Sequence, residues 1–307
     1  MAAQAVCGIV FLDKPSGWTS RRAVNEVARI FSVPGEKRIK AGHAGTLDPL
    51  ATGMLPVLLG DATRFADLGL NAEKSYRVSF DLSYQSDTLD REGEITARFD
   101  ARVSPAQLQS ALAEFRGAIE QVPPQYSAIR IDGKRAHDLA RRGEHVEMGA
   151  RPVTVHRLDL LAFDFPLVTL QVSCSKGAYI RALARDIGAK LGAGGCVTDL
   201  RRLSTGGWPE AMMVTPDELA EESQACLLPL AQWLRDLGRQ TLSIEDGRRF
   251  LQGQRIQLHE TSADAAEEHV AVFSRDILLG TGLLKPGLRH MVLHPAKIMP
   301  SAQKRLL

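Results

Sequence analysis

Strand-like and helical segments follow one another along this chain of 307 residues without the strict strand–helix–strand order of a parallel α/β fold. Alternating apolar residues predict a strand from Ser75, and the runs Val153 to Phe163 and Leu167 to Cys174 predict two strands joined by a turn. This order is typical of an α+β protein with a mixed, mostly antiparallel sheet flanked by helices. Short apolar runs after Leu242 predict a small β-rich C-terminal domain.

Several helices carry capping signals. Ser20 is predicted to cap a helix whose apolar stripe runs from Ala23 to Phe31, and Ser104 is predicted to cap another. A further helix is predicted from Tyr179 to Leu191. The apolar run Leu55 to Leu59 fits either a buried strand or a buried helical turn.

Composition narrows the class of protein. Hydrophobic residues make up 44% and charged residues 24%, as in ordinary soluble enzymes. We predict no membrane span, because no run of about 18 uncharged apolar residues occurs, and the apolar run Val6 to Leu12 predicts a strand in place of a signal peptide. The four scattered cysteines form no CxxC pair, which favours reduced thiols and a cytoplasmic protein. A net charge of +2 does not by itself indicate a nucleic-acid partner.

The glycine-rich stretch GHAGTLDPLATG, residues 42–53, contains one carboxylate, Asp48. It lacks the lysine of a phosphate-binding Walker loop. His43 has no second histidine or carboxylate at zinc spacing, so no metal site is predicted. Two interpretations of Asp48 remain. It is a turn or helix-capping residue before Pro49, or it is a nucleophile in a turn whose glycines let the backbone approach a substrate.

Five segments, in order, resemble the motifs of TruB-type tRNA pseudouridine synthases. They are DKPSGWTS, AGHAGTLDPLATGMLPVLLGDATR, KSYRVSFDLSYQSDTLDREG, PPQYSAIRIDGKRAHDLAR and SKGAYIRALARDIGAKLG with LRRLSTG. Together they extend from about Val6 to Thr205. Because the five occur in the family's order, the resemblance is far more specific than any one of them.

The resemblance implies an isomerase that converts uridine 55 in the T-arm of tRNA to pseudouridine, without a cofactor or metal. It implies a catalytic pseudouridine synthase domain at residues 1–240, with a tRNA-clamping insertion at about 124–152. A small PUA-like RNA-binding domain is expected at 241–307. The alternative is a non-catalytic tRNA-binding or tRNA-folding protein with the same fold. No guide RNA or obligate protein partner is expected.

The resemblance also assigns roles to site residues. Asp48 is the expected catalytic carboxylate, and Arg181 is expected to pair with it and keep it ionised. Tyr76 is expected to stack on the flipped base and is the candidate for proton removal. Substrate contacts are expected from three further residues: His43, which stacks near the flipped base, Tyr179, and Leu200, an apolar wall for uracil.

Two groups of basic residues are predicted to contact RNA phosphates. The first lies in the clamp: Arg130, Lys134, Arg135, Arg141, Arg142, Arg151 and Arg157. The second is opposed in the sequence only by Asp186 and Asp199, and we interpret it as the stronger electropositive surface. Its members are Lys176, Arg181, Arg185, Lys190, Arg201 and Arg202.

Overall fold

The structure is a computed structural model that describes residues 6–127, 129–131, 133–140, 142–144, 146–262, 266–288 and 290–306. The side chains of Arg130, Lys134 and Arg135 in the predicted clamp lie outside this description, as does the whole of Arg141. Within these ranges, no helix is long and apolar enough to cross a membrane.

The strands, in chain order, are β1 (Gly8–Lys14), β2 (Ala41–His43), β3 (Thr52–Leu59), β4 (Lys74–Asp81), β5 (Tyr84–Ser86), β6 (Ile95–Arg98), β7 (Gly117–Gln121), β8 (Arg130–Ile131), β9 (Lys134–Arg135), β10 (Arg151–Asp164), β11 (Leu167–Cys174), β12 (Cys196–Thr205), β13 (Gly238–Leu242), β14 (Ile256–Ser262), β15 (Glu268–Ser274), β16 (Ile277–Pro286) and β17 (His290–Ile298). The α-helices are α1 (Ser20–Phe31), α2 (Ala66–Asn71), α3 (Pro105–Glu114), α4 (Ala136–Ala140), α5 (Ile180–Lys190), α6 (Pro216–Glu221), α7 (Leu230–Trp233), α8 (Ile244–Leu251) and α9 (Pro300–Gln303).

The described residues form two large sheets and the two-stranded pairs β5-β6 and β8-β9. The larger has the order β1-β3-β12-β4-β11-β10-β7, with β2 paired to β3, and its strand pairs are antiparallel except for β12 with β3. The smaller has the order β13-β15-β16-β17-β14. The predicted α+β class with a mostly antiparallel sheet is therefore confirmed, and so is a β-rich C-terminal region. The smaller sheet begins at Gly238, while the division into domains at residue 240 stays a prediction.

Strand β3 shows why the run Leu55 to Leu59 was ambiguous in the sequence. The run belongs to a strand, but both faces of that strand are covered. Leu55 packs in one hydrophobic cluster, among residues of α1, α3 and α5. Leu58 packs in the other, which joins the larger sheet to the smaller one. A strand buried on both faces reads as a continuous apolar run and loses the alternation that identifies strands.

The first helix begins differently from the prediction. Thr19, not Ser20, is its N-cap, because the Thr19 Oγ1 accepts a hydrogen bond from the Arg22 backbone N–H at 3.1 Å. Ser20 is the first helical residue, and it is buried. Its hydroxyl donates to the Leu47 carbonyl and accepts from the Leu47 N–H, both at 2.8 Å. The serine therefore fixes the glycine-rich stretch against α1. The cap predicted at Ser104 is confirmed.

Candidate active site

Asp48 lies in the irregular segment between β2 and β3. No helix begins there, so the interpretation of Asp48 as a helix cap is wrong. The buried side chains of Leu47 and Leu50, on either side of Asp48, anchor the segment in the protein interior. The fully buried Lys14 ammonium donates to the Pro49 carbonyl at 3.2 Å. The backbone on both sides of Asp48 is thereby held in place.

Two glycines of the glycine-rich stretch pack directly against Arg202. At Gly53, where φ is +94°, a Cβ atom would lie 2.2 Å from the Arg202 carbonyl oxygen. At Gly45, where φ is +129°, a Cβ atom would lie 3.0 Å from the Arg202 Nη1. Arg202 is buried, and it donates to the Met54 carbonyl at 2.7 Å and to the Gly45 carbonyl at 3.1 Å. Two glycines are thus needed for a buried arginine to reach the backbone of the segment.

Arg181 binds Asp48 through two parallel contacts. Its Nε lies 2.8 Å from Asp48 Oδ2, and its Nη2 lies 3.1 Å from Asp48 Oδ1. The Arg181 side chain is 6% exposed, whereas that of Asp48 is 33% exposed. A bidentate, charge-assisted pair fixes the orientation of the carboxylate. The predicted pairing of these residues is therefore present, with the arginine buried and one carboxylate open to an incoming molecule.

The remaining N–H groups of Arg181 are also satisfied. Nη1 donates to the Thr88 carbonyl at 2.6 Å and faces Asp90 Oδ2 at 3.3 Å, and Nη2 donates to the Tyr126 carbonyl at 3.0 Å. The five N–H donors of the guanidinium thus meet five oxygen contacts. Asp90 is nearly as buried as its partner, with 5% of its side chain exposed.

Asp90 was not predicted from the sequence, because its segment reads as an acidic loop. The loop connects β5 to β6, and Asp90 is fixed inside it by bonds from the Thr88 hydroxyl at 2.7 Å and the Glu92 N–H at 3.1 Å. A signal existed in the motif DTLDREG, which belongs to the quoted resemblance. It did not distinguish the buried carboxylate from its exposed neighbours.

Tyr76 and Leu200 lie on one face of the larger sheet. Tyr76 is paired with Arg202 across β4 and β12, and Leu200 is paired with Val78 two residues along. Directly paired residues share a face, and side chains two apart in a strand do so too. Burial raises the pKa of Tyr76 to about 12, while the Arg202 charge acts in the opposite direction. The phenol is therefore protonated at neutral pH.

His43 and Tyr179 are both half-buried. Burial is the largest cause that lowers the pKa of His43, followed by the charges of Arg202 and Arg21, so the imidazole is neutral at pH 7. Within the described residues its buried Nδ1 has no hydrogen-bond partner. Tyr179 precedes α5 in an extended conformation, and burial raises the pKa of its hydroxyl. The helix predicted from Tyr179 thus begins one residue later, at Ile180, and the role of Tyr179 as a substrate contact stays a prediction.

Comparisons with known proteins identify the family of this chain. A model described as "TruB family pseudouridylate synthase (N terminal domain)" matches residues 30–180, and one described as "tRNA pseudouridylate synthase B C-terminal domain" matches residues 181–237. A protein named tRNA pseudouridine synthase B from Ralstonia pickettii is 44% identical over 273 residues, covering 86% of this chain and 84% of the relative. The chain belongs to the TruB family of pseudouridylate synthases. A Burkholderia pseudomallei relative of the same name is 41% identical, covering 94% of this chain and 96% of its own length.

Solved structures show the TruB chain's fold. One titled as a Cbf5-Nop10-Gar1 complex has a TM-score of 0.70 at 23% identity, covering 95% of this chain and 84% of that one. One titled as an H/ACA RNP bound to a substrate RNA containing 2'-deoxyuridine has a TM-score of 0.69 at 22% identity, with the same coverage. At these identities the likeness concerns the fold alone, and it confirms the predicted pseudouridine synthase fold.

The second basic group of this TruB chain does not form a free positive surface, so that expectation is wrong. Arg201 pairs with Asp13 and Glu210 at 2.8 and 2.7 Å, and Lys190 pairs with Glu114 at 2.7 Å. Arg185 pairs with Asp186, Lys176 donates to an asparagine side chain, and Arg181 and Arg202 are buried. The sequence alone does not reveal these pairs, because partners such as Asp13 and Glu114 are distant in the chain.

Proposed function

We propose that this chain isomerises uridine 55 in the T-loop of tRNA to pseudouridine, with Asp48 as the catalytic carboxylate. The observation that carries the proposal is the Asp48–Arg181 pair, in which a buried arginine orients a carboxylate that is one-third exposed. The names of the TruB relatives, tRNA pseudouridine synthase B, support tRNA as the substrate.

The proposed chemistry follows from the geometry. The reaction detaches uracil from its ribose, rotates it and rejoins it through carbon, so it conserves atoms and electrons. A base stacked in an RNA loop must first be extruded before a carboxylate reaches it. Asp48 is oriented for this reaction by its bidentate contact with Arg181.

The other predicted site residues would hold the extruded nucleotide. Tyr76 would stack on the base, with its hydroxyl available for a proton transfer, and Leu200 on the same sheet face would form an apolar wall. His43 would stack near the vacated position as a neutral ring. Tyr179, which lies close enough to Asp48 for the carboxylate to raise its pKa, would contact the same site.

The partner in this proposal is tRNA without a guide RNA or an obligate protein. Residues 124–152 would clamp the T-arm, and residues 241–307 would form an additional RNA-binding domain. The relatives that are at least 40% identical carry names of tRNA enzymes. A conversion assay with bare transcript and purified protein tests this part directly, because a guide-dependent enzyme leaves the transcript unmodified.

The deciding experiment maps pseudouridine at single-nucleotide resolution in an unmodified tRNA transcript after incubation with the purified chain, with Asp48→Asn in parallel. The expected result is one modified position, uridine 55, that is absent with the variant while tRNA binding is kept. Tight binding without modification would instead support the alternative, a non-catalytic tRNA-binding or tRNA-folding protein. Near-normal turnover by Asp48→Asn would contradict the role of the carboxylate.

A further inference from the structure

A strongly basic stretch precedes the Asp48 segment. Residues 18–43, here called the α1–β2 segment, contain six Lys or Arg and two Glu, although the whole chain is nearly balanced at 38 basic against 36 acidic residues. The segment comprises helix α1, the loop that returns along it, and β2.

Most of these cations are exposed and free of carboxylate partners. Arg29 pairs with Glu26 at 2.8 Å and is excluded. Among the described residues, the Arg21, Lys37 and Lys40 side chains make no hydrogen bond or ion pair. Arg22 lies over the Trp18 ring at 4.5 Å. Arg38 donates to the Asn25 carbonyl at 2.6 Å. The five exposed cations are Arg21, Arg22, Lys37, Arg38 and Lys40.

The segment is attached directly to the candidate active site. Ser20 is bound to both backbone groups of Leu47, the residue before Asp48. The next residue, Arg21, is close enough to His43 for its charge to lower the imidazole pKa. The contact of Arg38 with Asn25 holds the returning loop along α1. Asn25 lies four residues after Arg21, about 6 Å along the helix axis, so Arg38 lies beside the same first half of α1 as Arg21 and Arg22.

Local stability does not explain this placement. Arg21 and Arg22 lie in the first turn of α1, which contains no acidic residue. The helix dipole favours anions at that end, and a cation there is unfavourable by about 0.3–1 kcal/mol. Cations that are unpaired and locally unfavourable gain an explanation when an anion binds across them.

We propose that the exposed cations of the α1–β2 segment bind the sugar–phosphate backbone of the substrate RNA beside the reacting nucleotide. This inference rests on the proposed function for the identity of the RNA. Phosphate contacts release condensed counterions and position the nucleic acid without reading its sequence. The exposed cations would thus align the RNA backbone beside Asp48, which lies in the adjoining segment.

The test compares two double variants with a control of equal charge change. Arg21→Gln/Arg22→Gln and Lys37→Gln/Lys40→Gln each remove two unpaired cations. The control, Arg29→Gln/Arg235→Gln, removes two exposed arginines that are already paired, with Glu26 and Asp236. The dissociation constant for unmodified tRNA transcript is measured between 50 and 300 mM KCl for each protein.

Each lost phosphate contact is expected to lower the slope of log Kd against log salt concentration by about 0.7–0.9. Both double variants are therefore expected to lose roughly 1–2 in slope and to bind about tenfold more weakly at 100 mM salt, while the control stays near the wild type. Slopes and affinities equal to those of the control would overturn the proposal. The binding measurement is independent of turnover, so an absence of pseudouridine in the wild-type reaction would reject the proposed function alone.

Discussion

Asp48 and Asp90 face one guanidinium from different sides: Arg181 contacts Asp48 through Nε and Nη2, and Asp90 through Nη1. One of these carboxylates is open to a substrate and the other is buried. The charge on Arg181 is therefore shared, and the strength of its hold on Asp48 depends on a residue that no substrate atom needs to touch.

Replacing Arg181 with lysine tests the geometry of the pair and not merely its charge. A lysine has three donors on a flexible stem and cannot meet five oxygen contacts at once. Charge-assisted hydrogen bonds contribute about 1.5–3 kcal/mol, so the single-turnover rate is expected to fall by roughly 10- to 150-fold. The tRNA dissociation constant is expected to change little, because Arg181 is buried. An unchanged rate would show that a positive charge suffices.

Asp90→Asn keeps the size of the side chain and removes its charge. Arg181 then neutralises Asp48 alone and binds it more tightly, which is expected to slow turnover about tenfold, a change of about 1.4 kcal/mol. The control is Glu94→Gln, an exposed carboxylate of the same loop. Single-turnover rates for both variants are compared at saturating enzyme. Equal rates for the two would remove Asp90 from the account of the site.

Gly53→Ala is expected to destabilise the fold. The added methyl group meets a backbone carbonyl oxygen at 2.2 Å, which no side-chain rotation relieves, and φ is +94°. The left-handed conformation alone costs about 1–2 kcal/mol, and with the clash we expect a loss of about 3 kcal/mol or more in the free energy of unfolding. Gly42→Ala is the control in the same segment, because its nearest neighbour is at 4.0 Å. Urea unfolding compares the two.

The stability contributed by Lys14 is expected to depend on pH. Burial lowers the pKa of Lys14 from 10.5 to about 8, against the opposing charges of Asp48 and Glu92, while Arg202 lowers it further. Below pH 8 Lys14 is charged in both the folded and the unfolded state, so the folded state bears the full free-energy cost of burying the cation. Between pH 8 and 10.5 the folded state loses the proton first, so stability rises with pH.

The free energy of unfolding of the wild type relative to Lys14→Met should therefore increase from pH 8 to 10.5, by up to about 3 kcal/mol. Urea unfolding at four pH values measures it. The comparison with Lys14→Met removes an opposing contribution from buried Cys174. Burial raises the pKa of Cys174 to about 12, so its titration destabilises the fold as the pH rises through the upper part of the same range. A constant difference would contradict the prediction.

Tyr76→Phe separates stacking from proton transfer. The ring remains and the hydroxyl, whose pKa burial raises to about 12, is lost. General acid–base catalysis contributes about 10²–10⁴-fold, so a role in proton transfer predicts a rate loss in that range with an unchanged tRNA dissociation constant. A wild-type rate would leave Tyr76 as a stacking surface only.

The sequence predicted elements well where the signal is local. Adjacent residues were sufficient to locate the helix cap at Ser104, which precedes a proline, and the strand from Ser75. The first helix shows the limit of such signals. Thr19 and Ser20 are both capping residues, and the choice between them depended on Leu47, which lies far along the chain and binds the Ser20 hydroxyl.

The candidate site shows the same division. The resemblance pointed to Asp48 and Arg181, and the structure places them in contact. Arg202 was predicted to contact RNA phosphates at the surface, yet it is buried against Gly45 and Gly53. Lys14 and Asp90 carry no sequence pattern that reveals burial. Their importance arises from contacts between segments that are distant in the sequence.

The anchors of the Asp48 segment come from β1, α1, α5 and β12, through Lys14, Ser20, Arg181 and Arg202 respectively. A chain that has been synthesised only as far as β11 possesses Asp48 but lacks two of the four groups that hold its segment. Loop closures between such distant residues occur late in folding. Nascent or partly refolded chains therefore contain Asp48 without the contacts from α5 and β12 that hold its segment. The onset of turnover during refolding would report the docking of β12, the last strand of the larger sheet along the chain.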